Sequence, residues 1–158
     1  MTTVNVGQKA PDFSLYDSDK KRVTLSELRG QNILLLFFPA AFSGTCTKEL
    51  CSVRDNISLY NNVRAAVFGI SVDAVYSLAK YKEDQGLNFS LLSDFNKEAS
   101  TAYGCLYDTF SYDMKGVSKR SAFVIDGHGI VRYAEVLEKA GDLPNFQLIQ
   151  QTLELLNN

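Results

Sequence analysis

The stretch "NILLLFFPAAFSGTCTKELCSVRD", residues 32–55, decides the fold class, because an apolar run, a turn of small residues and a polar segment follow one another. The apolar run ends at Pro39 and is typical of a strand covered on both faces in a parallel sheet. The polar segment and the residues after it carry apolar side chains at the spacing of one helix face, at Leu50, Val53, Ile57 and Tyr60. This spacing predicts a helix over residues 45–61, with Cys46 close to its start.

The rest of the chain repeats the alternation of strand and helix. Apolar segments predict strands at residues 65–71 and 89–93, and helices follow both, the first ending near Gly86. A polar turn at residues 17–21 predicts an N-terminal β-hairpin, and "SAFVIDGHGIVRYAEV" predicts a second hairpin before a closing amphipathic helix. The order predicts an α/β, thioredoxin-like fold with a central mixed sheet flanked by helices. A polar passage at residues 108–119 is expected to form a long, mobile loop.

Composition narrows the class of protein. The 158 residues, 46% hydrophobic and 22% charged, are expected to form a single domain over residues 1–158. The net charge of -2 lacks the basic excess that nucleic acids select for, so no nucleic acid partner is expected. The longest apolar stretch, residues 33–42, is too short to span a bilayer, and no targeting segment is recognised. Three cysteines, an odd number, favour a reducing, cytoplasmic location and a transient disulfide.

Cys46 occupies a position suited to a reactive thiol. A helix that begins at Ser43 or Thr45 places Cys46 in its first turn, where unpaired N–H groups and the helix dipole favour an anion such as a thiolate. Ser43 offers a hydroxyl that can cap the helix or bind a sulfur or substrate oxygen. Pro39 ends the strand and stiffens the turn. Position alone leaves a second interpretation open, in which Cys46 is a small apolar residue that fills the end of the sheet.

Residues 39–46, "PAAFSGTC", have a proline, three residues, a serine, two residues and a cysteine, and Glu49 follows. This pattern resembles the signature of the peroxiredoxins. The likeness continues through "APDFSLYD", "LLSDF", "AYG" and "RSAFVIDGHGIVRYAEV", and therefore covers nearly the whole chain. The nearest groups are peroxiredoxin Q, also called bacterioferritin comigratory protein, and the one-cysteine alkyl hydroperoxide reductase E.

The resemblance implies roles for five residues. Cys46 is expected to be the peroxidatic cysteine, which attacks a hydroperoxide and becomes a sulfenic acid. Ser43, where most members have threonine, is expected to orient the peroxide, and Pro39 to shield the sulfur from water. Arg120 is expected to stabilise the thiolate and the polarised O–O bond, and Glu49 to orient an arginine. The residues alone do not distinguish Arg120 from the other candidate arginines, Arg22, Arg54 and Arg132.

The role of Cys51 also follows from the resemblance. Its spacing from Cys46 matches the peroxiredoxin Q group, in which the second cysteine resolves the sulfenic acid as an intramolecular disulfide. In an intact helix the two side chains point about 140° apart and their Cα atoms lie about 8 to 9 Å apart. A disulfide needs Cα atoms within about 7 Å, so the helix must unwind for it to form. In the alternative, an external thiol resolves Cys46 and Cys51 is a bystander. Cys105 is interpreted as a packed core residue and remains a second candidate.

The resemblance implies a thiol-dependent peroxidase that acts on hydrogen peroxide or organic hydroperoxides. Thioredoxin, glutaredoxin or a small thiol is the expected reductant, no metal or organic cofactor is required, and monomer and homodimer both stay open. A different class is a non-catalytic thioredoxin-fold interaction protein with structural cysteines. A zinc site is disfavoured, because the single histidine, His128, lies in a glycine-flanked turn.

Overall fold

The computed structural model of the protein describes residues 4–157. The strands are β1 (Ser14–Asp17), β2 (Arg22–Thr24), β3 (Asn32–Phe37), β4 (Ala65–Ser71), β5 (Ser90–Ser93), β6 (Ser121–Ile125) and β7 (Val131–Val136). The α-helices are α1 (Gly44–Asp55), α2 (Ile57–Asn62), α3 (Val75–Gln85), α4 (Glu98–Ala102) and α5 (Phe146–Leu156). Short 3₁₀ turns occupy Leu25–Leu28 and Ser111–Asp113.

All seven strands form one mixed sheet in the order β2-β1-β5-β4-β3-β6-β7. Strand β4 pairs in parallel with β3 and with β5, whereas β6 pairs antiparallel with β3 and with β7. The N-terminal hairpin of β1 and β2 joins the sheet through an antiparallel contact with β5. The predicted thioredoxin-like fold, with its mixed sheet and N-terminal hairpin, is confirmed.

Strand β3 lies inside the sheet, between β4 and β6, and is buried on both faces. Side chains alternate across a strand, so Leu34 and Leu36 belong to one apolar cluster and Leu35 and Phe37 belong to the other. The first cluster includes Cys46 and the buried face of α1, and the second includes Cys105. The double burial explains the uninterrupted apolar run of this strand.

The predicted helix over residues 45–61 is wrong in its extent, because two helices, α1 and α2, occupy this region. Asn56 lies between them with φ -114° and ψ 20°. Its side-chain amide donates to the Ser52 carbonyl at 2.8 Å, which is the acceptor that the Asn56 N–H would use in a continuous helix, and that N–H donates instead to Val53 at 3.1 Å. The side chain therefore competes with the helix backbone and ends α1 at Asp55.

Two other predictions concern single segments. Helix α3 ends before Gly86, as predicted, and Gly86 takes the left-handed φ of 58° that is common just after a helix. The passage at residues 108–119 is more regular than a simple loop, because the Tyr107 N–H donates to the Val117 carbonyl at 2.8 Å around a 3₁₀ turn. No helix within residues 4–157 combines the length and the apolar character needed to cross a membrane.

Candidate active site

The loop after β3 carries Cys46 to the carboxyl end of the sheet. Helix α1 begins at Gly44 with Ser43 as its N-cap residue, so Cys46 lies in the first helical turn as predicted. The side chain of Cys46 is 1% exposed. Its sulfur therefore sits in a nearly water-free site beside backbone N–H groups that have no partner within the helix.

Arg120 is brought to Cys46 by strand pairing. The antiparallel register of β3 and β6 sets Phe37 opposite Ser121, so the residue before β6 lies beside the loop that follows β3. The Arg120 side chain is 1% exposed, and its Nη2 donates to the Cys46 sulfur at 3.4 Å. A guanidinium thus provides a fixed positive charge and a hydrogen-bond donor at the sulfur.

Glu49 completes a buried chain of three side chains. It lies one helical turn after Cys46, is fully buried, and its Oε1 accepts a hydrogen bond from Arg120 Nη1 at 2.7 Å. Burial raises the pKa of Glu49 to about 7, against the attraction of Arg120, which lowers it. Burial acts to lower the pKa of Arg120, but Glu49 and Cys46 outweigh it and the pKa is raised, so the guanidinium stays charged.

The Arg120 guanidinium is also held from the loop that follows β7. Both Nε and Nη2 donate to the Ala140 carbonyl, at 3.3 and 2.9 Å, and the Leu137 N–H donates to the Arg120 carbonyl at 2.9 Å. Sequence reasoning missed Ala140, and no residue type could have identified it because the acceptor is a backbone carbonyl. Helix α1 and this loop together fix the plane of the guanidinium.

Ser43 and Pro39 lie at the entrance to α1. The Ser43 hydroxyl donates to the Ala40 carbonyl at 2.8 Å and makes no side-chain capping bond, so of the alternatives stated for it the cap is wrong in this structure. The hydroxyl oxygen keeps its capacity to accept a hydrogen bond. Pro39 is buried just beyond the end of β3. The roles of both residues toward a substrate stay predictions.

The three cysteines are free and occupy different surroundings. Cys51 is half-buried on the intact helix α1, and its sulfur donates to Gln85 Oε1 at 3.6 Å. Cys105 is fully buried in the apolar cluster on the other face of the sheet from Cys46, as expected of a core residue. Burial raises the pKa of the Cys105 thiol to about 12, against a lowering hydrogen bond with Ser121.

His128, the single histidine of the sequence, is exposed in its glycine-flanked turn. Within residues 4–157, no group of three or more His, Cys, Asp or Glu side chains lies close enough together to hold a metal ion.

Two side chains near the site were not identified from the sequence. Asp73 Oδ2 accepts a hydrogen bond from the Ala41 N–H at 2.8 Å, and the Tyr81 hydroxyl shares one with Thr47 Oγ1, also at 2.8 Å. The Tyr81 ring also lies 4.9 Å from that of Phe42, between centroids. The sequence could have indicated Asp73, because Asp73 follows the buried strand β4, and β4 ends beside the parallel strand β3.

The chain is similar to known proteins in sequence and in fold. The family model of the AhpC/TSA family matches residues 6–134. Alkyl hydroperoxide reductase E from Mycobacterium bovis is 37% identical over 156 residues, which cover 97% of this chain and 98% of that protein. The crystal structure of peroxidoxin BcpB from Mycobacterium tuberculosis superposes with a TM-score of 0.84 at 31% identity, over 96% of this chain and 97% of that chain. A bacterioferritin comigratory protein structure from Xanthomonas campestris, with a TM-score of 0.81, 21% identity and 92% of each chain covered, has the same fold.

Proposed function

Since the chain belongs to the AhpC/TSA family, and its relatives are peroxiredoxins with thiol-dependent peroxidase activity, we propose that Cys46 is the nucleophile that reduces a hydroperoxide. The observation that carries the proposal is the buried hydrogen bond from Arg120 Nη2 to the Cys46 sulfur, at 3.4 Å. Arg120 places a positive charge and a hydrogen-bond donor at the sulfur, and the thiolate is the form of a cysteine that attacks peroxides.

The proposed reaction transfers one oxygen atom to Cys46. The thiolate attacks the terminal oxygen of the hydroperoxide, an S–O bond forms as the O–O bond breaks, and the departing oxygen takes up a proton. The products are a sulfenic acid on Cys46 and an alcohol, or water when the substrate is hydrogen peroxide. Negative charge that develops on the departing oxygen is stabilised by the Arg120 guanidinium and by the N–H groups at the start of α1.

The other site residues have supporting roles in this proposal. Glu49 fixes the rotation of the guanidinium through the 2.7 Å bond to Nη1, so that Nη2 stays directed at the sulfur. The Ser43 hydroxyl accepts a hydrogen bond from the hydroperoxide O–H while it donates to Ala40. Pro39, buried just beyond the end of β3, limits the access of water to the sulfur.

We further propose that Cys51 resolves the sulfenic acid. The Cys51 thiolate attacks the Cys46 sulfur, an S–S bond forms as the S–O bond breaks, and the departing hydroxide takes up a proton and leaves as water. The intact helix forbids this bond, so α1 must unwind around both cysteines. The half-buried position of Cys51 supports such a release, because its side chain leaves the helix face with less loss of packing than a fully buried residue. A thioredoxin, a glutaredoxin or a small thiol then reduces the disulfide.

The second candidate is a one-cysteine mechanism, in which an external thiol attacks the sulfenic acid directly. The 37% identity to alkyl hydroperoxide reductase E favours this possibility. In it Cys51 has no chemical role, and α1 stays folded throughout the cycle.

The test is the intact mass after one equivalent of hydrogen peroxide, without reductant, for the wild type, Cys46→Ser, Cys51→Ser and Cys105→Ser. A loss of about 2 Da that disappears in Cys46→Ser and Cys51→Ser but persists in Cys105→Ser is the result expected for the disulfide. A gain of about 16 or 32 Da that depends on Cys46 alone favours the one-cysteine mechanism. An unchanged mass in the wild type contradicts Cys46 as the nucleophile.

A further inference from the structure

Asp73 connects the end of β4 to the loop that carries Cys46. Its carboxylate Oδ2 accepts a hydrogen bond from the Ala41 N–H at 2.8 Å, although the two residues are 32 positions apart. The same oxygen accepts a hydrogen bond from the Ser71 hydroxyl at 2.6 Å. Hydrogen bonds to a charged acceptor are short and strong, so this contact is a firm attachment for the loop.

Two buried serines hold Asp73 itself in place. Ser71 is fully buried, and its hydroxyl bonds both the Asp73 carboxylate and, at 3.2 Å, the Asp73 N–H. Ser93 is 8% exposed, and its hydroxyl donates to the Asp73 carbonyl at 2.6 Å. Asp73 is therefore fixed from β4 and from β5, and its carboxylate has little freedom to follow a moving loop.

The loop needs such an attachment because Phe42, the residue after Ala41, has a strained backbone. Phe42 has a φ of 68°, the left-handed region that residues with a Cβ rarely adopt. The Phe42 ring packs on Tyr81, and Asp73 holds the preceding N–H of Ala41. Strained backbone persists only where the surroundings over-determine it. The residue after Phe42 is Ser43, so this conformation sets where the Ser43 hydroxyl and the first N–H groups of α1 lie.

We propose that Asp73 is a positioning residue for peroxide reduction, which acts through the Ala41 N–H on the loop from Pro39 to Ser43. The proposal rests on the proposed function of Cys46. Asp73 contacts neither the sulfur nor Arg120 in this structure, so its effect is on the geometry of the groups that receive the peroxide. Removal of the acceptor lets Phe42 relax and shifts the Ser43 hydroxyl, whereas the contact between Cys46 and Arg120, the residue before β6, is retained.

The test compares Asp73→Ala with Asp73→Asn, whose amide oxygen can take the place of Oδ2 and accept from both Ala41 and Ser71, with the N–H₂ group at the position of Oδ1. The matched control is Asp84→Ala, which removes an exposed aspartate that pairs with Lys80 on α3. Two rates are measured at Cys46 in each protein: oxidation by hydrogen peroxide in a single turnover, and alkylation by iodoacetamide, which needs the thiolate but no peroxide geometry.

We expect Asp73→Ala to lower the oxidation rate constant at least about tenfold, because small displacements of substrate-positioning groups have effects of this size or larger. The alkylation rate should change less than about twofold. Asp73→Asn should recover most of the oxidation rate, and Asp84→Ala should match the wild type in both assays.

Three outcomes overturn the proposal. They are an Asp73→Ala oxidation rate equal to that of the wild type, an equal fall of oxidation and alkylation, and no recovery in Asp73→Asn. If Asp73→Ala does not fold, Ser71→Ala is used in its place, because this variant removes one of the two donors to Asp73 Oδ2. Ser71→Ala should lower the oxidation rate but not the alkylation rate, and an unchanged oxidation rate overturns the proposal. A wild-type protein whose Cys46 is alkylated but not oxidised by peroxide contradicts the proposed function instead.

Discussion

Replacement of Arg120 by lysine is the most direct perturbation of the site. The Arg120 guanidinium bonds three groups at once, namely Glu49 at 2.7 Å, the Cys46 sulfur at 3.4 Å and the Ala140 carbonyl at 2.9 and 3.3 Å. A lysine ammonium keeps the positive charge but is a single point on a flexible stem. It can stay with Glu49 or approach the sulfur, and it cannot reproduce the planar arrangement that serves all three acceptors.

The size of the expected effect follows from which contacts are lost. Loss of one preorganised donor at the developing charge lowers a rate by about 10²- to 10³-fold, or about 3 to 4 kcal/mol of activation free energy. The charge remains, so we expect the lower end, about 100-fold, for oxidation of Cys46 by hydrogen peroxide. Partial loss of the buried pair with Glu49 should also lower the free energy of unfolding by about 1 to 3 kcal/mol.

The assay is the second-order rate constant for oxidation of Cys46 in a single turnover, with urea unfolding measured alongside. Arg54→Lys is the matched control, because Arg54 lies on α1, is 31% exposed and pairs with Asp55 at 2.9 Å. Its rate should equal that of the wild type. An Arg120→Lys protein that is folded and reacts within about threefold of the wild type would refute the role of the guanidinium fork.

Three further predictions concern stability and thiol reactivity. The pKa of Glu49, about 7 when folded against an ordinary 4.5, means that the folded state binds more protons in this window. The free energy of unfolding should therefore fall by up to about 3 kcal/mol as the pH rises from about 5 to 8. Urea titrations should show this dependence on pH in the wild type but not in Glu49→Gln, and an equal dependence in both proteins would contradict the prediction. Cys105, with its pKa raised to about 12, should resist iodoacetamide at about pH 8 until guanidinium unfolds the protein, and native labelling there would show the burial to be wrong. Thr47→Val removes the 2.8 Å hydrogen bond to Tyr81 that connects α1 to α3, and the loss of a hydrogen bond worth about 1 kcal/mol should make α1 easier to unwind. Disulfide formation should therefore speed up several-fold, while oxidation of Cys46 is unchanged. Slower disulfide formation would argue against unwinding of α1.

The fold class could be predicted because its signals are local. An apolar run with no alternation indicates a strand buried on both faces, and β3 is such a strand. The position of Cys46 in the first turn of α1 follows from a turn of small residues and the periodicity after it. The error at residues 45–61 has a local cause as well, because periodicity does not register an asparagine side chain that competes for the Ser52 carbonyl.

The partners of Cys46 were decided only by the tertiary structure. Spacing along the chain did not show whether Arg120 or Arg54 is the partner of Cys46, and Arg54 is the nearer of the two in sequence. The pairing of β6 with β3 decides for Arg120, because it sets Ser121 opposite Phe37 and so brings Arg120 to the end of the strand that leads to Cys46. The same holds for Asp73 and for the Ala140 carbonyl, which reach the site from β4 and from the loop after β7.

The sequence by itself therefore determined the fold class, the family resemblance and the position of Cys46, the proposed nucleophile, in the first turn of α1. The tertiary structure alone determined the buried hydrogen bonds that surround the nucleophile and the separation of Cys105 from Cys46 by the sheet. The physical reason is that periodicity and turn chemistry act between residues close in the chain. The groups that fix a buried thiol come from strands whose pairing and burial depend on contacts between distant residues.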